Sequence, residues 1–142
     1  MKYTAGIFIF NGKNEILLVH PTNASFTTWS IPKGIVEEHE SPAEAVVREL
    51  LEETNVDLNQ LKKVYFERGN DVKYASGKKT LIPFFTKVLV GLKEIDYKCN
   101  TLVDGKDFYE NDAIQWFKIE DAAQRIHETQ VKALNEFYYS PS

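Results

Sequence analysis

Along the chain, apolar and polar positions change period several times, and each change predicts an element. Residues 3–10 are β-branched and aromatic and predict a strand. Asn11-Gly12 follows as a hairpin turn signal. Residues 15–20 return as a second strand, apolar enough to be buried on both faces. Residues 21–28 read as a polar loop carrying Phe26, and residues 29–31 as a short extended piece that Pro32 stops. Between 42 and 54 the period becomes helical. Ala43, Val46, Val47, Leu50 and Thr54 make the apolar face. Ser41 and Glu44 have capping-box spacing, and Pro42 suits the first helical position.

Residues 62–73 read as one strand, 74–79 as a turn and 80–92 as a long strand in which Pro83 predicts an edge position or a bulge. Residues 96–111 are irregular and polar, with a turn at Asp104-Gly105. A short strand follows at 113–117. A second helix is expected over 119–139, with Ala122, Ile126, Val131, Ala133, Leu134 and Phe137 on its apolar side. Strands before, between and after two helices predict an α/β chain with a mixed sheet between helices. The order alone leaves the topology open.

Composition narrows the setting. A chain of 142 residues implies one domain, residues 1–142, with a sizeable core. The net charge of −4 argues against an extended nucleic-acid surface or an anionic membrane partner. Cys99 stands alone, which excludes an intramolecular disulfide and fits a reducing compartment. No membrane-length apolar stretch or cleavable signal pattern is present, so the cytoplasm is the expected location.

The chemistry concentrates in residues 34–56. Glu49, Glu52 and Glu53 stand at i, i+3 and i+4 and fall on the flank of the predicted helix, away from its apolar stripe. Like charges so close repel, unless a cation sits among them. Carboxylate oxygens are hard ligands that suit magnesium or manganese better than zinc. Arg48 lies one turn from Glu44 and Glu52 and is expected to pair with either.

This stretch resembles the Nudix box: Gly34, Glu40, Arg48, Glu49, Leu50, Glu52, Glu53 and Val56 match in register. Asn55 replaces the usual glycine, and it is expected to end the helix in the left-handed conformation. The resemblance implies the Nudix α/β/α sandwich over essentially the whole chain. It also implies hydrolysis of a diphosphate linkage by attack of water at phosphorus, with Mg2+ or Mn2+ as cofactor. By the same resemblance Glu49, Glu52 and Glu53 are metal ligands, one of them also orienting the water, and the Gly34 carbonyl is a further candidate ligand. Glu40 and Arg48 then act as supports. Glu37, Glu38 and Glu44 lie outside the motif and read as solvated or capping residues.

Relatives commonly carry another catalytic or metal-binding glutamate before a late strand, and Glu110 fits that place, with Asp112 as its competitor. Lys33, immediately before Gly34, is positioned to meet a phosphate as a point charge. The Pro-Lys-Gly form is frequent among relatives acting on dinucleoside or inositol-type polyphosphates. Lys78 and Lys79 are candidates for distal phosphates. Tyr74, Phe84 and Phe26 are candidate stacking surfaces for a base, against the plainer reading of core aromatics. His20, His39 and His127 have no mutual spacing that suggests zinc. The expected partner is a small nucleoside polyphosphate, a dinucleoside polyphosphate first. Nucleoside triphosphate pyrophosphatase, RNA 5′ pyrophosphohydrolase and non-catalytic nucleotide sensor are the alternatives. Both monomer and homodimer are compatible with the family.

Overall fold

The computed structural model describes residues 2–138. Strands β1 (Lys2–Phe10), β2 (Glu15–Pro21) and β3 (Lys33–Ile35) precede helix α1 (Pro42–Thr54). Strands β4 (Lys63–Arg68), β5 (Val72–Lys73), β6 (Lys79–Val88) and β7 (Asn111–Lys118) follow, then helices α2 (Ile119–Ala123) and α3 (Glu128–Tyr138). The sheet runs β4-β6-β1-β2-β7, with β3 added to β1 and β5 to β6. β1 and β6 are parallel, and the other pairs are antiparallel.

Strand alternation explains the layers. Ala5, Ile7, Ile9 and Leu17 point to the face covered by Ala45, Val46 and Leu50 of α1. Phe8, Phe10, Ile16 and Leu18 point to the other face, covered by Ala122, Ile126, Ala133 and Leu134. Phe85 stacks on Phe8 at 4.9 Å and on Phe137 at 3.9 Å, which ties α3 to the sheet centre. Both faces are covered, so β1 and β2 read as continuous apolar runs, and the expected α/β/α sandwich is present.

The opening hairpin is looser than its turn signal suggests. Asn11 Oδ1 accepts from the amides of Lys13 and Glu15, yet only Phe10 and Ile16 are in register across β1 and β2. Beyond that pair the strands diverge, and residues 30–35 fill the gap. Ser30 exchanges backbone hydrogen bonds with Val19 of β2, Pro32 accepts from Ile7, and β3 pairs with Thr4, Ala5 and Gly6 of β1. The extended piece expected at 29–31 is therefore a single bridge at Ser30, and the strand lies later, at Lys33–Ile35.

Four other expectations are corrected. Pro83 is at no edge, because β6 lies between β4 and β1. Its missing N–H falls where the neighbouring strand is interrupted: the single strand expected over 62–73 breaks at 69–71. Gly69 still donates to the Pro83 carbonyl at 2.8 Å. β6 stops at Val88, leaving Leu89 and Val90 exposed. The expected helix 119–139 is two helices, since the Arg125 carbonyl accepts from Trp29 and the His127 ring accepts from the Thr129 amide, starting α3 afresh. Tyr139 lies outside the described residues.

Candidate active site

Helix α1 begins with the predicted capping box: Ser41 Oγ accepts from the Glu44 amide at 3.1 Å, and Glu44 Oε1 accepts from the Ser41 amide at 2.9 Å. Asn55 ends it in the left-handed region, with φ at 68°. The glutamates do not all face outward as the helical wheel suggests. Glu49 and Glu53 continue the rows begun by Ala45 and Val46 and are 9% and 7% exposed. Glu52 is half-buried. The physical reason is β3, which crosses this part of the helix and leaves a gap at Gly34. The Glu49 carboxylate fills that gap, where any β-carbon would collide with it.

Burial is offset by specific partners. Arg48 holds Glu40 with two nitrogens, Nε at 2.7 Å and Nη2 at 2.9 Å, in the planar fork that guanidinium and carboxylate share. Its Nη1 reaches Glu49 at 2.8 Å and Glu52 at 3.3 Å, and Nη2 donates to the Ile35 carbonyl. Glu44, expected as an alternative partner, is engaged by the cap instead. Glu53 accepts from the Lys33 amide at 2.7 Å and from Asn111 Nδ2 at 3.2 Å.

These carboxyls titrate far from ordinary values. Burial pushes Glu49 up to about 7 against the pull of Arg48, and repulsion from Glu52 and Glu110 adds to the rise. Burial pushes Glu53 up to about 8 against its Asn111 hydrogen bond, with Glu49 repelling it further. Glu110 is raised by burial and by Glu52, with Lys33 opposing. Four carboxyls thus share one electrostatic environment. Among the described residues, no three His, Cys, Asp or Glu side chains converge into a ready metal cage. The donor set nevertheless fits a hard divalent cation: carboxylate oxygens, crowded and partly desolvated, whose mutual repulsion a cation would relieve.

A cavity of about 880 Å3 opens beside this cluster. Lys33, Glu53, Glu110 and Asn111 line it together with Trp29, Tyr74, Lys79, Arg125 and His127, while Glu49 and Glu52 do not. Lys79 Nζ stands 5.4 Å from the Tyr74 ring centre. Lys78 is not among the lining residues; its carbonyl accepts from the Lys2 amide. Phe84 lies in the core against Phe66, and Phe26 is exposed on its loop. Asp112 points away to His20, at 2.6 Å from Nδ1, while His20 Nε2 meets the Ser25 carbonyl at 2.8 Å. Both partners are acceptors, so the ring bridges them as an imidazolium, with its pKa raised by the Ser25 carbonyl and by Asp112 against the opposing effect of burial.

Sequence reasoning missed Asn111, Arg125 and Gln130. Buried Gln130 accepts from the Ile31 amide and donates to Ser30 Oγ, bracing the segment that leads to Lys33. A fully buried glutamine on an apolar helix face is a weak signal; Asn111 offered one in following Glu110 directly.

The profile of the NUDIX domain family matches residues 2–137. An RNA pyrophosphohydrolase of a Marinomonas species is 27% identical over 118 residues, covering 78% of this chain and 71% of that protein. The zebrafish 8-oxo-dGDP phosphatase NUDT18 is 41% identical over 60 residues, 42% of this chain; the match spans only 18% of that relative's length. Among solved structures, a Caenorhabditis elegans Ap4A hydrolase superposes with a TM-score of 0.70 at 23% identity, covering 95% of each chain, a likeness of fold. The chain belongs to the NUDIX domain family, whose profile takes in nearly all of it.

Proposed function

We propose that this chain hydrolyses a diphosphate linkage in a nucleoside polyphosphate, a dinucleoside polyphosphate before others. One observation carries the reading: a single cavity is lined by the carboxyls of Glu53 and Glu110 together with cationic and aromatic side chains. A ligand matching that lining has phosphates that bridge to cations at the carboxyls and a base to set against the aromatic rings.

In this reading Glu49, Glu52, Glu53, Glu110 and the Gly34 carbonyl would hold Mg2+ or Mn2+. Such ions supply charge neutralisation on phosphate oxygens and a more acidic bound water. Arg48 orients Glu49 and Glu52 through its Nη1. Asn111 and the Lys33 amide fix Glu53, and the Lys33 side chain meets a phosphate. Tyr74 and Lys79 sit where the far part of the substrate would lie, while Lys78 is a candidate only for a longer polyphosphate reaching past the cavity. Removal of phosphates from an RNA 5′ end is the second reading, favoured by the similarity to the Marinomonas enzyme. We also propose a single cytoplasmic domain, in keeping with free Cys99; among the described residues no helix is long and apolar enough to cross a membrane.

The deciding experiment is a panel of dinucleoside polyphosphates, nucleoside triphosphates and 5′-triphosphorylated RNA, titrated with magnesium in heavy-oxygen water. The label identifies the phosphorus attacked. Heavy-oxygen incorporation into a dinucleoside polyphosphate product at the highest kcat/KM supports the proposal. Preference for triphosphorylated RNA favours the second reading, and binding without turnover points to a sensor.

A further inference from the structure

Asn55 stands where the family motif has glycine, and its side chain is engaged. Nδ2 donates to the Asp96 carbonyl at 2.9 Å, and Oδ1 accepts from Asn100 Nδ2 at 3.1 Å. Asn100 Nδ2 also donates to the Leu51 carbonyl at 3.1 Å. The Asn100 amide donates to the Glu52 carbonyl at 2.6 Å, and the Lys98 amide to the Thr54 carbonyl at 3.2 Å. Segment 96–100 therefore supplies donors to the Glu52 and Thr54 carbonyls at the end of α1, and a second donor to the Leu51 carbonyl, which also accepts from the Asn55 amide.

One residue further on, the Thr101 carbonyl accepts from the Glu110 amide at 2.9 Å. The Leu102–Tyr109 bridge and the bond from the Val103 amide to the Phe108 carbonyl close residues 101–110 into a finger. On its other side, the Glu110 carbonyl accepts from the Thr22 amide, and Thr22 Oγ1 donates to the Tyr109 carbonyl. Besides Thr22 and the Asn111–Glu53 bond, one path from Glu110 to the helix glutamates runs through Thr101 and Asn100 to Asn55, Leu51 and Glu52.

We propose that Asn55 is a positioning residue whose side chain latches segment 96–100 to the end of α1, setting Glu110 against Glu49 and Glu52. This rests on the role proposed for Glu110. Glycine adopts positive φ with less strain than asparagine, so Asn55→Gly keeps the helix terminus and removes only the latch.

The test uses the full chain with Asn55→Gly, Asn55→Asp, Asn100→Ala and Glu110→Gln. Hydrogen exchange without added metal reads the amides of Lys98, Asn100 and Glu110. Steady-state turnover of diadenosine tetraphosphate with magnesium reads kcat and KM. In Asn55→Gly these amides should exchange about tenfold faster, the effect of losing one or two net hydrogen bonds. Its kcat should fall several-fold with KM little changed, and Asn55→Asp, which keeps the acceptor for Asn100, should fall between. Unchanged exchange overturns the latch. Faster exchange with unchanged kcat overturns the positioning role. Wild-type kcat in Glu110→Gln would instead remove the role of Glu110 itself, a separate failure.

Discussion

The Glu49 carboxylate occupies the space a β-carbon on Gly34 would need. Strand and helix here approach as closely as a missing side chain allows, and the charged group is what fills the gap. Gly34→Ala should therefore displace Glu49 while disturbing little backbone. The Glu49 carboxyl is the far end of a flexible side chain, so the melting temperature should move only slightly. Turnover should fall on the order of 100-fold, the usual effect of misplacing a reacting group by about 1 Å. Parallel melting curves and kinetics check this. A fully active Gly34→Ala enzyme would contradict the placement of Glu49 at the reaction.

The raised carboxyls predict a slope of stability with pH. Glu49 and Glu53 titrate near about 7 and about 8 when folded, against 4.5 for the ordinary side chain. Between these values the folded chain holds more protons than the unfolded one, so stability is lost as pH rises through that window. With chelator present, the melting temperature should decline between about pH 5 and 8. Glu53→Gln should flatten the decline. Magnesium should oppose it and release protons on binding. A melting temperature that rises steadily across the window would refute the assignment.

Arg48 binds Glu40, Glu49 and Glu52 together. Lysine has the charge without the planar fork and cannot reproduce the paired bonds to Glu40. Arg48→Lys should cost about 1–3 kcal/mol of stability, the range for hydrogen bonds to charged groups. It should also reduce turnover by misorienting Glu49. Glu40→Gln should give a smaller loss, and the double variant should be less than additive in denaturant titration.

The two less buried carboxyls separate activity from folding. Glu52→Gln should abolish most turnover with the melting temperature nearly unchanged, because it removes a charge from a half-buried position and no core packing. Glu110→Gln should lower kcat more than it raises KM. If Glu110→Gln is silent, Asp112 is not its obvious substitute, being tied to His20; the late acidic group would then have to come from elsewhere.

Local signals were legible in the sequence wherever one segment decides its own conformation. Ser41, Pro42 and Glu44 announce the start of α1, and Asn55 announces its end. The orientation of Glu49 and Glu53 was not legible, because the helical wheel sets both on the flank away from the apolar stripe. Only β3, whose gap at Gly34 admits a carboxylate, selects the inward one. Arg48 was paired with Glu44 and Glu52 by helical spacing. Its main partner, Glu40, lies across a loop that no periodicity describes. The cavity lining combines Trp29, Tyr74 and Arg125 from three distant segments, a juxtaposition no window of sequence contains.

The parallel pairing of β1 with β6, from Lys2 opposite Lys79 to Phe10 opposite Lys87, bears on how the chain matures during synthesis. A ribosome releases β1 long before its neighbour exists, so this apolar segment must wait, shielded or at risk of mispairing, until more than half the polypeptide has emerged. Gly34 and Glu49 meet over a strand that itself has no settled place until then. Catalytic competence should therefore appear late and abruptly in a translation-arrest series.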